Sequence, residues 1–515
     1  MANNQLLAND PLLKNFKYPP NFKLNLHQEK GVIWIREREM DEEIKGGILA
    51  DDPGLGKTYQ ILISILLRSL RKNLIIVPTS ILKQWINAIK FILPKKKILI
   101  YHRNYQLQFK NHDFDICLTT YGMISSIKCT NYNELSRFEW DRIILDEGHL
   151  IRNKNTKLFK NCIGLSKISK IKWILTGTPI QNKETDIISL ITFLGINCYR
   201  KDLFNNIEKY ILRRTKQILL QQNLLNDFSI ENHCVYFETK EEQEIYLKIE
   251  SELIDDLMII EGNEDIEFSQ CLLEVYLRLR QCCIHPNIAL KGILNKFNND
   301  YLLKLDFSEL RLSSKISALI KDISKTNEYS LVFCHFKSEM EIISNFLKKK
   351  GIQSEIFDGS LNIKERNKIL SKFDGEKIKK IKTRIGTNKF IIKDNKPRVL
   401  IIQIKAGGVG LNLQQFSEVY IVSPDWNPSN EIQAISRSHR IGQQKKVKVH
   451  KYTLRINNNF IQNESDKIKT IDERILSKQF DKRELMVSTL NDDSLKFNES
   501  FHEEKNSNII DILGF

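Results

Sequence analysis

Short runs of consecutive apolar residues, separated by longer stretches with apolar positions three or four residues apart, recur along the first part of the chain. Polar or turn-forming residues bound each run, which is typical of strands buried on both faces, and the stretches between them have helical spacing. The pattern predicts an α/β lobe over residues 21–198, with a parallel sheet covered by helices. The runs are NLIIVP (73–78), KILIYH (97–102), DICLTTY (115–121), RIILDE (142–147) and KWILTGTP (172–179).

A second series of apolar runs begins near Ser314 and again alternates with stretches of helical spacing. It predicts a second α/β lobe over residues 314–480. The runs are SLVFCHF (330–336), SEIFDGS (354–360), RVLIIQIKAG (398–407), EVYIVSPDW (418–426) and KVHKYTL (448–454).

The remaining segments have other patterns. Residues 199–313 have mostly helical spacing and predict a helical connector. Residues 1–20 form an N-terminal extension, and the polar residues 481–515 predict a mobile tail. Within the second lobe, residues 376–396 form an insertion with eight Lys or Arg against two acids. Either a solvated surface loop or a contact with backbone phosphates explains this insertion.

Composition and charge narrow the class of protein. A chain of 515 residues with 41% hydrophobic residues is long enough for two or three folded domains. The formal net charge of +16 favours a polyanionic partner, with nucleic acid as the leading candidate. The N-terminus lacks the pattern of a secretory signal, and no apolar run approaches the roughly 18 residues of a membrane span. We therefore predict a protein that is neither secreted nor membrane-bound.

The cysteines give no reason to expect a metal. The chain has nine of them, an odd number, and none forms a C-x-x-C pair. This spacing fits neither a zinc finger nor a disulfide framework, so we predict reduced thiols and no zinc.

The stretch GGILADDPGLGKTYQ (46–60) resembles a phosphate-binding loop with two departures. Its end fits the pattern G-x-x-x-x-G-K-[ST], but Asp51 occupies the position of the first glycine and Pro53 lies inside the loop. The pattern predicts ATP bound by the backbone of Gly54, Leu55 and Gly56, by Lys57 at the phosphates, and by Thr58 on Mg²⁺. By itself it is also compatible with a glycine turn before an ordinary core helix.

Two further stretches supply the other parts of an ATPase. DRIILDEGH (141–149) is an apolar strand that ends in two acids, which suits Asp146 for binding Mg²⁺ and Glu147 for activating water. In EIQAISRSHRIGQ (431–443), Arg437 and Arg440 are three residues apart, so on a helix they share one face. Two guanidinium groups held in this way suit arginine fingers, although an exposed basic face would have the same spacing.

Together, these residues resemble the SWI/SNF-type (sucrose-nonfermenting) family of superfamily-2 helicase-like ATPases, and the resemblance runs in order from about Leu24 to Gln479. The matching segments are LNLHQEKGVIWI, GGILADDPGLGKT, IIVPTSILKQW, TTYGMI, LDEGHLIRN, LTGTPIQN, VFCHF, IKAGGVGLNLQ, DWNPSNEIQAISRSHRIGQ and DERILSKQ. RIILDEGHLIRN and LRLRQCCIHP are most similar to the branch that acts in DNA repair and transcription termination. Many members of that branch carry a zinc-binding ubiquitin-ligase insertion, and the cysteine spacing here predicts none.

The resemblance implies a fold of two RecA-like lobes, a helical connector and a C-terminal brace helix. Its motifs carry over to three further roles. Gln28, Gly410 and Gln433 would complete the nucleotide site, and His149 would couple hydrolysis to lobe movement. The residues that would face duplex DNA come from three motifs and the loop around a tryptophan, namely Lys83, Gln84, Trp85, Thr120, Tyr121, Lys405 and Trp426. Two departures from the family are a short interval between LTGTPIQN and ILRRTK, and the basic insertion.

The function implied is an ATP- and Mg²⁺-dependent translocase that moves along duplex DNA and displaces or remodels bound protein, such as nucleosomes or a polymerase. Two alternatives share its features: a helicase that separates DNA or RNA strands, and a degenerate ATPase that serves as a DNA-binding scaffold, suggested by Asp51 and Pro53. We expect a monomer located in the nucleus of a cell, or at the site of viral DNA replication or in the virion.

Overall fold

The structure is a computed structural model. It describes residues 19–20, 22–103, 113–126, 134–180, 185–196, 209–222, 224–260, 265–294, 311–373, 379–383, 386–390, 397–407, 411–460 and 468–490. These residues form two compact units, which are described separately: the residues up to Leu224 form most of one, and those from Leu225 to Asp481 form most of the other. No helix in these ranges has the length and apolar character needed to span a membrane.

The first unit contains a seven-stranded parallel sheet with the strand order β3-β4-β2-β5-β6-β1-β7. Its strands are β1 (Gly46–Leu49), β2 (Asn73–Val77), β3 (Ile98–Tyr101), β4 (Ile116–Thr120), β5 (Trp140–Asp146), β6 (Ser169–Leu175) and β7 (Ile211–Leu212). Its helices are α1 (Leu26–Met40), α2 (Lys57–Leu67), α3 (Leu82–Ile92), α4 (Tyr121–Ser125), α5 (Lys157–Lys167), α6 (Thr185–Leu194) and α7 (Gln217–Gln221), with short 3₁₀ turns at Thr79–Ile81, Glu134–Arg137 and Gly148–Ile151.

The second unit contains a six-stranded parallel sheet with the order β10-β13-β9-β14-β15-β8. Its strands are β8 (Phe228–Tyr236), β9 (Ser330–Cys334), β10 (Ser354–Phe357), β13 (Val399–Gln403), β14 (Glu418–Ile421) and β15 (Val447–Arg455). Its helices are α8 (Lys240–Ile260), α9 (Asp265–Ile284), α10 (Pro286–Leu294), α11 (Ser314–Lys325), α12 (Lys337–Lys349), α13 (Ile363–Ser371), α14 (Ile404–Gly407), α15 (Pro428–Ser438) and α16 (Ile471–Leu490), with a 3₁₀ turn at Asn458–Phe460.

The central strands of both sheets are apolar on both faces because helices cover both sides. Every residue of β1, β2, β4, β9 and β14 is buried. All ten apolar runs of the sequence lie on strands of these sheets, which confirms the predicted fold class of two α/β lobes with parallel sheets.

Three segments differ in detail from the sequence prediction. Residues 228–236, within the predicted helical connector 199–313, form the edge strand β8, and α8, α9 and α10 supply the helices. The strand was missed because only Val235 in it is buried, so it lacks the apolar run of a central strand. Helix α16 extends to Leu490, ten residues into the predicted tail, and 491–515 lie outside the described residues. In the basic insertion, β11 (Lys379–Thr383) and β12 (Gly386–Phe390) form an antiparallel hairpin.

Candidate nucleotide site

The sheet order brings three loops of the first unit, including the phosphate loop and the loop after Asp146, to one edge. In the order β5-β6-β1, the loops after Asp146, Leu175 and Leu49 follow neighbouring parallel strands. Because these strands are parallel, their carboxyl ends meet at the same edge of the sheet, where α/β proteins bind their ligands. Residues far apart in the sequence therefore converge on one site.

The phosphate loop contains a tight turn in which the unusual proline has a defined place. The Leu55 amide donates to the Asp52 carbonyl at 3.3 Å, which closes a four-residue turn, and Gly54 has a φ of 100°. Proline at the second position and a glycine with positive φ at the third are the residues of a type II turn. The Pro53 ring also packs against Gly177, where a Cβ would lie 2.8 Å from the ring.

The N-terminus of α2 is open to a ligand. Its N-cap, Gly56, is left-handed (φ 82°, ψ 36°) and has no side-chain cap. A Cβ on Gly56 would lie 2.3 Å from Nε2 of Gln28, whose amide donates to the Leu55 carbonyl at 3.1 Å. The helix thus presents its first backbone N–H groups, and the glycines permit the close approach that a phosphate requires. These features fit the phosphates of ATP.

Lys57 and Thr58 begin α2 and are both half-buried. The Lys57 ammonium donates to the backbone carbonyl of Asp51 at 2.6 Å and lies 3.3 Å from that of Asp52. Since an ammonium has three N–H donors, one remains for a phosphate oxygen. Lys57 is thus held over the loop by the backbone carbonyls of Asp51, which occupies the position of the first glycine, and of Asp52.

Two arginines that the sequence analysis did not assign hold those acids. Asp51 is fully buried, and its carboxylate accepts hydrogen bonds from Nε of Arg214 at 2.8 Å and from Nη2 of the same residue. Arg213 lies 3.3 Å from the Asp52 carboxylate and donates to the carbonyl oxygen of Gly177 at 3.2 Å. The arginines follow β7, whose pairing with β1 continues from the Asp52 amide to the Arg214 carbonyl at 2.9 Å. The feature of the sequence that could have indicated this pairing is the presence of two adjacent acids and, far along the chain, two adjacent arginines.

Asp146 ends β5 as a buried carboxylate with fixed partners. Oδ2 accepts a hydrogen bond from Nε1 of Trp85 at 2.7 Å, and Oδ1 accepts one from the Glu147 amide at 3.0 Å. Burial, and then the neighbouring charge of Glu147, raise the pKa of Asp146, whereas Trp85 and Lys57 oppose the shift. Each carboxylate oxygen keeps an acceptor position, so Asp146 fits a Mg²⁺ ion, whose charge would favour the ionised form.

Glu147 and His149 follow Asp146 in a strained turn. Glu147 has a φ of 53° and is the one non-glycine residue in the described ranges with positive φ. Its Oε2 is buried and accepts no hydrogen bond within those ranges, and Nδ1 of His149 lies 3.4 Å away. That nitrogen is bonded to the Thr176 hydroxyl at 3.1 Å, directly after β6. Burial lowers the pKa of His149 and keeps its imidazole neutral. A half-buried acid whose Oε2 accepts no hydrogen bond within the described ranges suits the predicted role of Glu147 toward water.

Three of the residues predicted to face DNA have side chains that are buried in the first unit. Trp85 is 1% exposed, because its indole lies under Asp146. Tyr121 donates from its hydroxyl to the Asp146 carbonyl at 2.8 Å, and Thr120 ends a central strand. Lys83 and Gln84, on the same helix as Trp85, are exposed and remain candidates for DNA contact.

In the second unit, the predicted arginine pair does not share a helix face. Helix α15 ends at Ser438 with His439 as its C-cap, so only Arg437 is helical, and Arg440 begins the following turn. The helix ends here because the His439 ring forms a 2.8 Å hydrogen bond with the Asn226 carbonyl and packs at a tilt against Phe228 of the edge strand, with the ring centroids 4.6 Å apart. Both arginines are half-buried. Their predicted role therefore depends on the turn as well as on the helix.

The turn that carries Arg440 is tied to the strand region before β14. The side-chain amide of Gln443 donates to the backbone carbonyls of Gln414 at 2.7 Å and Phe416 at 3.2 Å. The backbone N–H of Leu413 donates to the Arg437 carbonyl at 3.1 Å. These bonds fix the backbone on either side of Arg440 to one neighbouring segment. Two more residues of this unit were predicted to complete the nucleotide site. Gln433 is half-buried on α15, and Gly410 lies outside the described residues.

Lys405 and Trp426 are the predicted DNA contacts of the second unit. Lys405 is exposed on α14. Trp426 is only half-buried, but it packs against the large hydrophobic core with its ring edge-on to Tyr276 at 5.3 Å. Lys405 is therefore accessible to a polyanion, whereas Trp426 supports the loop that follows β14.

Comparison with known proteins defines the class. Residues 27–207 match the SNF2-related domain, and residues 314–442 match the helicase conserved C-terminal domain. Together the two matches cover more than half of the chain. The chain belongs to the SWI/SNF-type family of helicase-like ATPases.

Individual relatives have different names and lengths. An uncharacterized ATP-dependent helicase of Mycoplasma genitalium is 29% identical, and the alignment covers 93% of this chain and 44% of that protein. A probable global transactivator of Orgyia pseudotsugata multicapsid polyhedrosis virus is 26% identical, with 82% and 85% covered. The DNA repair protein RAD5 of Eremothecium gossypii is 27% identical, with 84% and 56% covered. The chain thus spans less than half of the Mycoplasma protein and most of the viral one.

Proposed function

We propose that this protein is an Mg²⁺-dependent ATPase that uses ATP hydrolysis to move along duplex DNA and displace bound protein. The observation that carries the proposal is the assembly of an open helix N-terminus, Lys57, Asp146 and Glu147 at one edge of the first sheet. Each part of a phosphoryl-transfer site that this unit would supply is present there.

The residues divide the chemistry among them. The backbone after Gly54 and the Lys57 ammonium would hold the phosphates, and Thr58 with Asp146 would bind Mg²⁺, which offsets charge on the phosphate oxygens. Glu147 would orient the attacking water with its free carboxylate oxygen. The hydrogen bond between His149 and Thr176 links that region to the loop after β6, and through it a change at the nucleotide would be transmitted to that loop.

Pro53 and Asp51 do not indicate a degenerate site. Pro53 occupies a position that a type II turn favours, and Asp51 anchors the loop through Arg214. These contacts favour an active enzyme over a DNA-binding scaffold.

DNA as the partner rests on charge and accessibility. The chain has a net charge of +16, and Lys83, Gln84 and Lys405 are exposed. Arg437 and Arg440 of the second unit would complete the nucleotide site, and the repair protein and the probable transactivator among the relatives suggest a role in DNA repair or transcription. The protein would then act in the nucleus, or where viral DNA is replicated.

The test is ATP hydrolysis by the full chain without nucleic acid, with duplex DNA, with single-stranded DNA and with RNA. We expect the strongest stimulation by duplex DNA, and no hydrolysis in Lys57→Ala or Glu147→Gln. Glu147→Gln should still bind ATP, which separates lost chemistry from lost binding. Hydrolysis that is indifferent to duplex DNA would contradict translocation, and hydrolysis that persists in Glu147→Gln would contradict the assigned site.

A further inference from the structure

A cluster of metal-binding side chains lies at the edge of the second sheet, apart from the predicted motifs. Glu231 and His233 come from β8, and His450 comes from the adjacent strand β15. In the parallel pairing of these strands, His450 lies opposite Glu231, and Tyr452 lies opposite His233. Since alternate residues of a strand point to the same face, Glu231, His233 and His450 all project from one face of the sheet.

The distances between the three ligand atoms suit one small cation. Nε2 of His233 lies 3.1 Å from Nδ1 of His450, which is 3.3 Å from Oε2 of Glu231. The distance from Nε2 of His233 to the same Glu231 oxygen is 3.9 Å. Ligands at about 2.0–2.2 Å from a tetrahedral zinc ion are about 3.3–3.6 Å from one another, so the three atoms outline one face of such a site.

The second ring nitrogen of each histidine lies close to a carboxylate oxygen. Nε2 of His450 is 2.9 Å from Oε2 of Glu418, the first residue of β14. Nδ1 of His233 is 3.5 Å from Oδ2 of Asp322 on α11, and that oxygen also accepts the Tyr452 hydroxyl at 2.8 Å. Metal-binding histidines usually donate their second ring nitrogen in this way, which fixes the tautomer and the orientation of the ring.

The contacts with Glu418 and Asp322 determine whether the facing nitrogens, Nε2 of His233 and Nδ1 of His450, carry a proton or a lone pair. Suppose that Nε2 of His450 carries its proton toward Glu418, and that Nδ1 of His233 carries its proton toward Asp322. The other two ring nitrogens are then unprotonated, and their lone pairs point at each other across 3.1 Å. Such an arrangement needs a positive species between the nitrogens. The oxygen of Glu231 on the third side is the ligand that a divalent cation would add.

The rings are also held in place from outside. Tyr420 stacks on His450 with the ring centroids 4.6 Å apart, and Tyr452 stacks on His233 at 4.7 Å. Exposure of the side chains increases from His450 at 10% to His233 at 27% and Glu231 at 51%. The cluster therefore has rigid histidines on its inner side and an open path to solvent beside the glutamate.

We propose that Glu231, His233 and His450 bind a divalent transition-metal ion, with zinc as the expected ion and a water in the fourth position. The cysteine spacing predicted no zinc, but this set uses no cysteine and joins residues from opposite ends of the second unit. Glu418 begins its strand, so the site lies toward the amino ends of β14 and β15, whereas the predicted motifs follow the carboxyl ends of their strands. The ion would fasten the edge strand β8, which pairs only with β15 among the described strands.

The test is metal binding by the full chain after treatment with a chelator. Co²⁺, which reports tetrahedral coordination by visible absorption, should bind at one equivalent per chain and be displaced by Zn²⁺. His233→Gln and His450→Gln should each weaken binding by about 10-fold or more. Cys234→Ser is the matched control, because Cys234 is exposed and adjacent but projects from the opposite face of β8.

A variant that replaces one metal ligand with another shows whether lost binding in the glutamine variants reflects the lost ligand or misfolding. His233→Cys should keep Co²⁺ binding and add a thiolate-to-cobalt absorption band that the parent lacks. Zinc should raise the unfolding temperature of the parent and of Cys234→Ser, and not that of His450→Gln. The proposal is overturned if the parent binds less than one equivalent, if the histidine variants bind as well as the parent, or if lowering the pH reproduces the whole effect of zinc. None of these readouts depends on ATP hydrolysis.

Discussion

The indole Nε1 of Trp85 donates a hydrogen bond to Oδ2 of Asp146 across 2.7 Å, in the interior of the first unit. The motif that carries Trp85 implied a contact with DNA, but Trp85 is buried, and the two residues directly before it, Lys83 and Gln84, are exposed. One helix, α3, therefore has two tasks: its buried face orients the candidate Mg²⁺ ligand, and its exposed face is available to a polyanion.

Trp85→Phe should separate these tasks. The substitution removes the donor to Asp146, and a hydrogen bond to a charged group contributes about 1.5–3 kcal/mol. We expect kcat for ATP hydrolysis to fall by roughly 10-fold, since 1.4 kcal/mol corresponds to that factor, with no change in the DNA concentration that gives half-maximal stimulation. Lys83→Ala on the same helix should leave kcat unchanged and raise the DNA concentration that gives half-maximal stimulation. A Trp85→Phe enzyme with normal kcat and weakened DNA response would restore the role implied by the motif.

Pro53 should stabilise the phosphate loop without impairing it. Pro53→Met should lower the free energy of unfolding by about 0.4–1 kcal/mol, because the unfolded chain gains freedom, and should leave the Kd for ATP unchanged. Gly54→Ala is the comparison, since a side chain at a φ of 100° costs about 1–3 kcal/mol, and it should weaken ATP binding. Nucleotide titration and denaturant unfolding measure both effects. Much tighter ATP binding by Pro53→Met would show that the proline does damage the site.

The buried pair of Arg214 and Asp51 should be a strong support of the loop. Arg214→Ala leaves a fully buried carboxylate without its cation, and breaking a buried pair in this way costs about 3–5 kcal/mol. Asp51→Asn added to Arg214→Ala should recover part of that loss, because the unpaired charge is gone. Unfolding of the parent, both single variants and the double variant gives the coupling energy. Additive losses would mean that the two residues act independently.

The two arginines of the second unit should affect chemistry more than binding. If both act on the transferring phosphate, Arg437→Ala and Arg440→Ala should each lower kcat by about 10³-fold or more, as loss of an arginine finger does, with a much smaller change in ATP affinity. Lys445→Ala is a suitable control, since that exposed side chain pairs with Glu328 of the same unit. A normal kcat in either arginine variant would remove that residue from the site.

The sequence could predict the parts of the structure that depend on local pattern. Ten apolar runs identified strands, because strands of a parallel sheet covered by helices have nearly continuous apolar runs. Eight of these strands lie inside their sheets, and two, β3 and β10, are partly buried strands at an edge. The edge strand β8 has no such run and was missed, although its residues supply two ligands of the proposed metal site. The helix that carries Arg437 was recognised, but its end at Ser438 depends on contacts of His439 with Asn226 and Phe228.

The roles of individual side chains depended on tertiary contacts that spacing cannot reveal. Trp85 and Tyr121 lie in motifs associated with DNA, yet both bond to Asp146. The departure at Asp51 had a reason that lies far along the chain, because its partner Arg214 is reached only through the pairing of β7 with β1.

Displacement of the third strand from a DNA triplex tests the central claim most directly, because an enzyme that moves along a duplex must remove a strand bound in its path. We predict that the parent protein displaces the third strand only with ATP and Mg²⁺, leaves the underlying duplex paired, and loses this activity in Glu147→Gln. ATP hydrolysis stimulated by duplex DNA without release of the third strand would contradict translocation, and separation of the duplex itself would identify a strand-separating helicase.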